Sequence, residues 1–147
     1  GYWKDSDETA RRFVDGWWRS GDLGRIDADG YVWVEGRIDN IINTGGIKVQ
    51  VEQVEAAVAA CQAQRRDLAW ADRRLAVTGL PDARLGQIVT LVVAGPPLGS
   101  AAEAAIQDAL RAELDRFALP RRFAYVPDLP QTPTGKIDRK ALAAMLA

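Results

Sequence analysis

Hydrophobic residues in the second half of the chain recur first at helical and then at strand spacing. A stripe of residues three and four positions apart predicts a helix over 51–64, and two apolar runs predict strands over 75–80 and 87–94. The residues of this stripe are Val51, Val54, Val58 and Cys61. Because Cys61 belongs to the stripe, we expect its thiol to lie in the core rather than to react.

A second helix is predicted after Ser100, which opens a capping box with Glu103. Its hydrophobic stripe extends to Phe117, and Pro120 is expected to end it. The residues of this second stripe are Ile106, Leu110, Leu114 and Phe117. A short strand over 122–126 is predicted to follow.

A last short helix is predicted after Asp138, whose carboxylate can cap it. The apolar positions that we expect on one face of this helix are Leu142, Met145 and Leu146. Arg139 and Lys140 would occupy its first turn, where the helix dipole disfavours cations. A broken local rule often marks a functional site, although a solvated basic turn is the alternative.

The first forty residues predict a short helix and a hairpin. The helix is expected over 5–15 with Ser6 or Asp7 as its cap, and a strand over 16–24 runs into a glycine-rich turn. The hairpin is expected over 25–34. The polar residues that follow are interpreted as a hinge.

The order of elements after residue 40 is hairpin, helix, two strands, helix, strand and helix. This order predicts an α+β fold, in which a small mixed sheet of one β-hairpin and about three strands is packed by about three helices. Gly45 and Gly46 form the turn of that hairpin.

Composition restricts the kinds of partner that the chain could have. It has 147 residues and a net charge of -1, so it has no field that would attract nucleic acid or an anionic membrane. No apolar run approaches the roughly 20 residues that span a bilayer. One cysteine excludes an intrachain disulfide and fits the cytoplasm. Because the sequence begins at Gly1 rather than at methionine, we expect a fragment or a processed product.

The chain contains no histidine, which removes the commonest general base and the commonest metal ligand. Ser-His-Asp and Cys-His mechanisms are therefore excluded for this chain alone. Any chemistry must depend on lysine, arginine, acidic side chains, hydroxyl groups and the backbone.

Five segments resemble, in order and spacing, the adenylate-forming superfamily of acyl-CoA synthetases, nonribosomal peptide adenylation domains and firefly-type luciferases. The segments are residues 1–3 with 8–9, 18–22, 36–55, 77–86 and 130–142. The resemblance implies that residues 1–38 end a large N-terminal adenylation domain as a β-hairpin remnant. It also implies that residues 39–147 form the mobile C-terminal domain.

The resemblance assigns roles around the nucleotide. Asp22 would hold the ribose hydroxyls, Arg37 would contact ribose or phosphate, and Lys48 would lie near the substrate phosphates. Asp39 would be the hinge about which the C-terminal domain swings. From the residues alone, Asp22 is equally a turn cap, and Arg37 with Asp39 is a surface ion pair.

The resemblance also assigns roles in the C-terminal domain. Gly45 and Gly46 would line the pantetheine tunnel for CoA, although an ordinary hairpin turn explains them equally well. Lys136 would be the adenylation lysine, with Thr134 and Gly135 allowing its loop to close over phosphate. An ammonium group suits this task because negative charge accumulates as a carboxylate attacks the α-phosphorus of ATP.

The implied function is the C-terminal segment of an ATP-dependent carboxylic acid–CoA ligase. Its substrates would be a carboxylic acid, ATP and CoA, and Mg²⁺ would be bound mainly by an N-terminal domain in the same or another chain. We expect no metal site in this chain and no activity from it alone. One alternative is part of an amino-acid adenylation domain of the nonribosomal peptide type. Another is a non-catalytic, truncated regulatory or binding module.

Overall fold

The computed structural model describes residues 1–146 as two units, Gly1–Asp39 and a second unit that begins at Asn40. The elements of the first unit are α1 (Ser6–Arg12), β1 (Phe13–Val14), β2 (Trp17–Trp18), β3 (Asp22–Ile26) and β4 (Val32–Arg37). A single 3₁₀ turn, Ile38–Asn40, follows β4. Strand β1 pairs with β2, and β3 pairs with β4, both antiparallel.

Helix α1 is shorter than the sequence predicts and has a different cap. The side chain of Asp5, rather than that of Ser6 or Asp7, accepts from the backbone N–H of Glu8 at 2.8 Å. The helix ends at Arg12 because Phe13 has an extended backbone and enters β1. The predicted strand over 16–24 is divided in the structure between β2 and β3.

The predicted hairpin over 25–34 is confirmed, and its strands extend beyond the predicted range. Asp27 organises the turn, since its Oδ1 accepts from the N–H groups of Asp29 at 3.1 Å and Tyr31 at 3.0 Å. The polar residues expected as a hinge begin inside β4, which continues to Arg37.

The second unit contains a mixed sheet and three helices, as the predicted α+β class requires. Its elements are β5 (Ile41–Thr44), β6 (Ile47–Gln50), α2 (Val51–Gln64), β7 (Leu75–Asp82), β8 (Gly86–Ala94), α3 (Ser100–Leu110), β9 (Arg122–Val126) and α4 (Arg139–Met145). The strand order is β6-β5-β8-β7 with antiparallel neighbours, and β9 runs parallel to β8. The predicted fold is therefore confirmed.

The core of the second unit forms where α2 and α3 pack on the sheet. All four residues of the predicted α2 stripe are buried, and Cys61 is a buried free thiol as expected. Burial raises the pKa of the Cys61 thiol, which disfavours the reactive thiolate. Trp70, in the charged connection that the sequence suggests is a surface segment, is also fully buried against this core.

Helix α3 departs from the prediction at both ends. Its N-cap is Gly99, and no side chain caps it, so the expected capping box does not form. It ends at Leu110, where the N–H of Glu113 donates to the carbonyl of Leu110 at 3.0 Å in a tighter turn. Asp115 then starts a further turn by accepting from the N–H of Phe117 at 2.7 Å. Leu114 and Phe117 still pack partly buried against the core, although they lie beyond the helix.

Helix α4 has the predicted cap but not the whole predicted face. Asp138 accepts from the N–H groups of Lys140 at 3.1 Å and Ala141 at 3.0 Å. Leu142 is fully buried, whereas Met145 is 51% exposed. The expectation for Met145 is wrong because Leu146, one residue later, takes the position against the core.

Within residues 1–146, none of the helices has both the length and the apolar composition needed to span a bilayer.

Candidate functional site

Lys136 lies in a loop that backbone hydrogen bonds close on itself. The N–H of Thr132 donates to the carbonyl of Lys136 at 2.7 Å, and the N–H of Gly135 donates to the carbonyl of Thr132 at 2.9 Å. At the base, the N–H of Asp138 donates to the carbonyl of Pro130 at 2.9 Å. Gly135 has a φ of 79°, a conformation that favours glycine at this turn. These bonds fix the local shape of the turn, whereas its position on the domain depends on the residues at its base.

The side chain of Lys136 is exposed, and no carboxylate within residues 1–146 lies within ion-pair distance of it. Thr132 and Thr134 bridge the loop through their hydroxyl groups at 2.9 Å. In a second side-chain contact, the N–H of Lys136 donates to Thr132 Oγ1 at 3.2 Å. The structure thus presents an ammonium group on a braced turn.

Asp22 and Arg37, predicted to contact the nucleotide, are brought together in the first unit with Asp39, the predicted hinge. Arg37 donates from Nη1 to Asp22 Oδ1 at 2.8 Å and to the carbonyl of Ser20 at 2.9 Å. Its Nη2 lies 3.5 Å from Asp39 Oδ2. The hydrogen bond from Arg37, with a further contribution from Ser20, holds the pKa of Asp22 below its ordinary value. Asp22 is therefore a carboxylate at neutral pH.

Arg12 and Gly21, which the sequence analysis does not single out, support this arrangement. Arg12 binds Glu8 through Nε at 2.7 Å and donates to the carbonyl of Ser20 at 3.4 Å. A Cβ at Gly21 would lie 2.6 Å from Arg12 Nη1 and 3.0 Å from Arg37 Nη2. Glycine at this position therefore allows two guanidinium groups to approach the same backbone turn. The sequence signal that could have revealed the contact of Arg12 is its four-residue spacing from Glu8, which places both side chains on one helix face.

The remaining predicted residues lie on the β5–β6 hairpin of the second unit. Gly45 and Gly46 form its turn with φ values of 60° and 82°. The N–H of Gly45 donates to the carbonyl of Leu85 at 2.8 Å, which fixes the turn against the β7–β8 connection. Lys48 pairs with Asn43 across the hairpin and is exposed. Positive φ values favour glycine at both positions, whether or not the turn has a functional role.

Arg139 has a partner that no local sequence pattern reveals. Its Nη2 lies 2.7 Å from Glu55 Oε2, 84 positions earlier in the chain. The guanidinium is therefore paired with a carboxylate of another helix, which offsets the unfavourable helix dipole at the start of α4.

No group of three or more histidine, cysteine, aspartate or glutamate side chains is placed to hold a metal ion within residues 1–146.

Comparison with known proteins identifies relatives over nearly the whole chain. Residues 73–136 match the family described as AMP-binding enzyme C-terminal domain. The chain is 40% identical over 146 residues to a 4-chlorobenzoate–CoA ligase of Arthrobacter, covering 99% of this chain and 26% of that protein. It is 37% identical to a medium/long-chain-fatty-acid–CoA ligase of Mycobacterium tuberculosis, covering 98% of this chain and 25% of that protein.

Solved structures give the same result for the fold. ATP-bound MatB from Rhodopseudomonas palustris superposes with a TM-score of 0.73 at 30% identity, over 99% of this chain and 27% of that one. The amide bond synthetase McbA from Marinactinospora thermotolerans superposes with a TM-score of 0.74 at 28% identity, over 100% and 29%. The chain spans about a quarter of the length of the curated relatives that it matches.

Proposed function

Since the chain belongs to the adenylate-forming enzymes and carries their C-terminal domain, we propose that it delivers the adenylation lysine of a carboxylic acid–CoA ligase. The reaction joins a carboxylic acid to ATP as acyl-AMP with release of pyrophosphate. CoA then displaces AMP and forms the thioester. The names of the CoA-ligase relatives support CoA as the acceptor.

The observation that carries the proposal is the exposed ammonium of Lys136 on a braced loop. As a carboxylate oxygen attacks the α-phosphorus, negative charge grows on the phosphoryl oxygens while the bond to pyrophosphate breaks. A preorganised cation stabilises that charge without moving a proton, which suits a chain that lacks histidine. Thr134 and Gly135 would give the loop the shape that lets it approach phosphate.

The pair formed by Asp22 and Arg37 supports a nucleotide role for the first unit. A carboxylate can accept two hydroxyl donors at once, as a ribose offers. Arg37 lowers the pKa of Asp22 and occupies Oδ1, which leaves Oδ2 and further lone pairs for the ligand. We assign phosphate or ribose contacts to Arg37, and phosphate contacts to Lys48.

Domain movement would connect these sites. Asp39 is the last residue of the first unit, which supports its assignment as the hinge. We propose that residues 1–38 end a large N-terminal domain, because their aromatic side chains are far more exposed than a finished core allows. Trp3 and Trp17 are 87% and 78% exposed. Gly45 and Gly46 would line the pantetheine tunnel after the swing.

The remaining parts of the enzyme would come from the N-terminal domain, in the same or another chain. That domain would bind most of the ATP and the Mg²⁺, which supplies charge neutralisation at the phosphates. We propose a cytoplasmic location, which fits a single buried cysteine in its thiol form.

Complementation tests the proposal. A hybrid enzyme joins this chain to the part of the Arthrobacter ligase that lies outside the matched segment. We expect acid-dependent exchange of pyrophosphate into ATP from the hybrid and none from either part alone. A hybrid that is folded but exchanges no more pyrophosphate than the separated parts would support the non-catalytic alternative.

The acceptor is tested with the same hybrid. Release of AMP that depends on CoA supports the CoA ligase. Acyl transfer to a carrier protein, with CoA inert, would instead support the amino-acid adenylation type.

A further inference from the structure

Three elements of the second unit meet in a ring of hydrogen bonds. Glu55 of α2 accepts from the N–H of Val77 through Oε1 at 3.0 Å and from Arg139 Nη2 through Oε2 at 2.7 Å. Arg139 of α4 closes the ring by donating from Nη1 to the carbonyl of Val77 at 2.7 Å. Both carboxylate oxygens and both backbone groups of Val77 are therefore used. We call this set the Glu55–Arg139 clamp.

The clamp occupies an open sheet edge. Within residues 1–146, β7 pairs with β8 only, so its other edge has no strand partner. At Val77 the clamp supplies an acceptor and a donor where a further strand would otherwise be needed. The two side chains are only 28% and 23% exposed, so their ion pair is less screened by solvent than a fully exposed pair.

The clamp also lies at the base of the Lys136 loop. Arg139 directly follows Asp138, whose N–H closes the loop and whose carboxylate caps α4. Lys136 is three residues before Arg139. The clamp holds Arg139, the first residue of α4, and thereby fixes the position of the loop on the domain.

The loop base lies beside a groove at the surface of the domain. The groove has a volume of about 340 Å³ and is lined in part by Glu55, Val77 and Ile137. Ile137 contacts the core around Leu142 but is itself only partly buried. Because Ile137 is only partly buried, the clamp adds directional bonds to the packing that holds the loop base.

We propose that Glu55 and Arg139 are positioning residues that hold the Lys136 ammonium in the geometry used for adenylation. This inference rests on the proposed function of Lys136. It also explains why an arginine begins α4: the helix dipole disfavours it, but its fork reaches two acceptors on two other elements.

The first test measures loop order in the 147-residue chain and does not depend on activity. Glu55→Gln removes the charge but keeps an acceptor for Val77, and Arg139→Lys keeps the charge but cannot span both acceptors. We expect ¹⁵N relaxation order parameters at Gly135 and Lys136 to fall from about 0.85 to below about 0.6 in both variants. Asp67→Asn, which removes the exposed Arg65–Asp67 pair, is the control and should leave them unchanged.

The second test separates the two half-reactions in the hybrid enzyme. Misplacing Lys136 should lower pyrophosphate exchange about ten- to hundred-fold in the Glu55 and Arg139 variants. Thioester formation from supplied acyl-adenylate should keep its wild-type rate, because that step does not use Lys136. A role in fold stability alone would lower both half-reactions together.

The outcomes distinguish the clamp from the function of Lys136. A loop that stays ordered in Glu55→Gln and Arg139→Lys overturns the clamp, whatever the activity. A loop that loosens while Lys136→Ala has no effect on exchange keeps the clamp as an ordering device and overturns the proposed function instead. Equal loss of both half-reactions overturns the positioning role.

Discussion

At the scale of single residues, the first unit uses arginine to control the ionisation of a carboxylate. Arg37 contacts Asp22 and the carbonyl of Ser20 at the same time, so its guanidinium is held in place while it stabilises the negative charge. The contact therefore orients the carboxylate of Asp22 and lowers its pKa.

The pKa of Asp22 gives a prediction with a definite sign. The titration midpoint of Asp22 should lie below the ordinary value of about 3.9, and Arg37→Gln should raise it. Because the folded-state pKa is depressed, the stabilising contribution is present above the ordinary pKa and is lost as pH falls through the folded value. The carboxyl ¹³C shift of Asp22 measures this directly. An unchanged midpoint in Arg37→Gln would show that Arg37 does not control it.

At the scale of elements, the β5–β6 turn allows a conformational preference for glycine to be distinguished from a functional need for it. Gly46 has a φ of 82°, and an added Cβ there would meet no atom within 4 Å. Any cost of a side chain within this chain is therefore backbone strain alone, whereas a ligand tunnel would add a steric cost.

Gly46→Ala is therefore expected to lower the free energy of unfolding by only about 1–2 kcal/mol. If Gly46 lines the tunnel, the same variant slows thioester formation in the hybrid and leaves pyrophosphate exchange unaffected. Chemical denaturation and the two half-reaction assays measure these effects. Equal rates of thioester formation in the variant and the wild type would leave Gly46 as an ordinary turn residue.

Local patterns predicted most elements of the second unit. The bounds of α2 follow from a stripe in which every hydrophobic position is buried, and the strands follow from apolar runs. The end of α3 was missed because the turns that follow Leu110 still place Leu114 and Phe117 against the core, so the hydrophobic stripe continues past the helix. Burial of Trp70 was missed because several of its neighbours in sequence are charged, so the hydrophobic pattern predicts a surface segment there.

The candidate site was predictable only where its residues are close in sequence. The loop of Lys136 is a local structure, so prolines and glycine indicate it. The contact between Arg139 and Glu55 joins residues 84 positions apart, and only the folded chain reveals it. The roles of Asp22, Lys48 and Gly45 came from family resemblance and remain predictions.

At the scale of the whole molecule, the two units differ in how far each completes its own core. Both clusters of buried hydrophobic residues belong to the second unit, which begins at Asn40. In the first unit, the large hydrophobic side chains are mostly exposed, including Trp33 at 51%. Among the described residues, the first unit therefore buries few of its own large hydrophobic side chains, whereas the second unit has a core of its own.

This difference predicts that residues 40–147 fold without the first 39. The truncated chain should keep the thermal midpoint of the main unfolding transition of the whole chain, because no core residue is removed. Differential scanning calorimetry with circular dichroism measures it. A midpoint lower by more than about 4–8 °C would indicate that the first unit contributes at least about 1 kcal/mol to the second.

The central claim concerns the charge of one lysine, and Lys136→Ala in the hybrid enzyme tests it most directly. Lys140→Ala is the matched control, since it removes an equal and exposed charge four residues away. We predict that Lys136→Ala lowers acid-dependent pyrophosphate exchange about 10²–10³-fold, with thioester formation from supplied acyl-adenylate and the Lys140 variant both unaffected. Pyrophosphate exchange at the wild-type rate in Lys136→Ala would contradict the account.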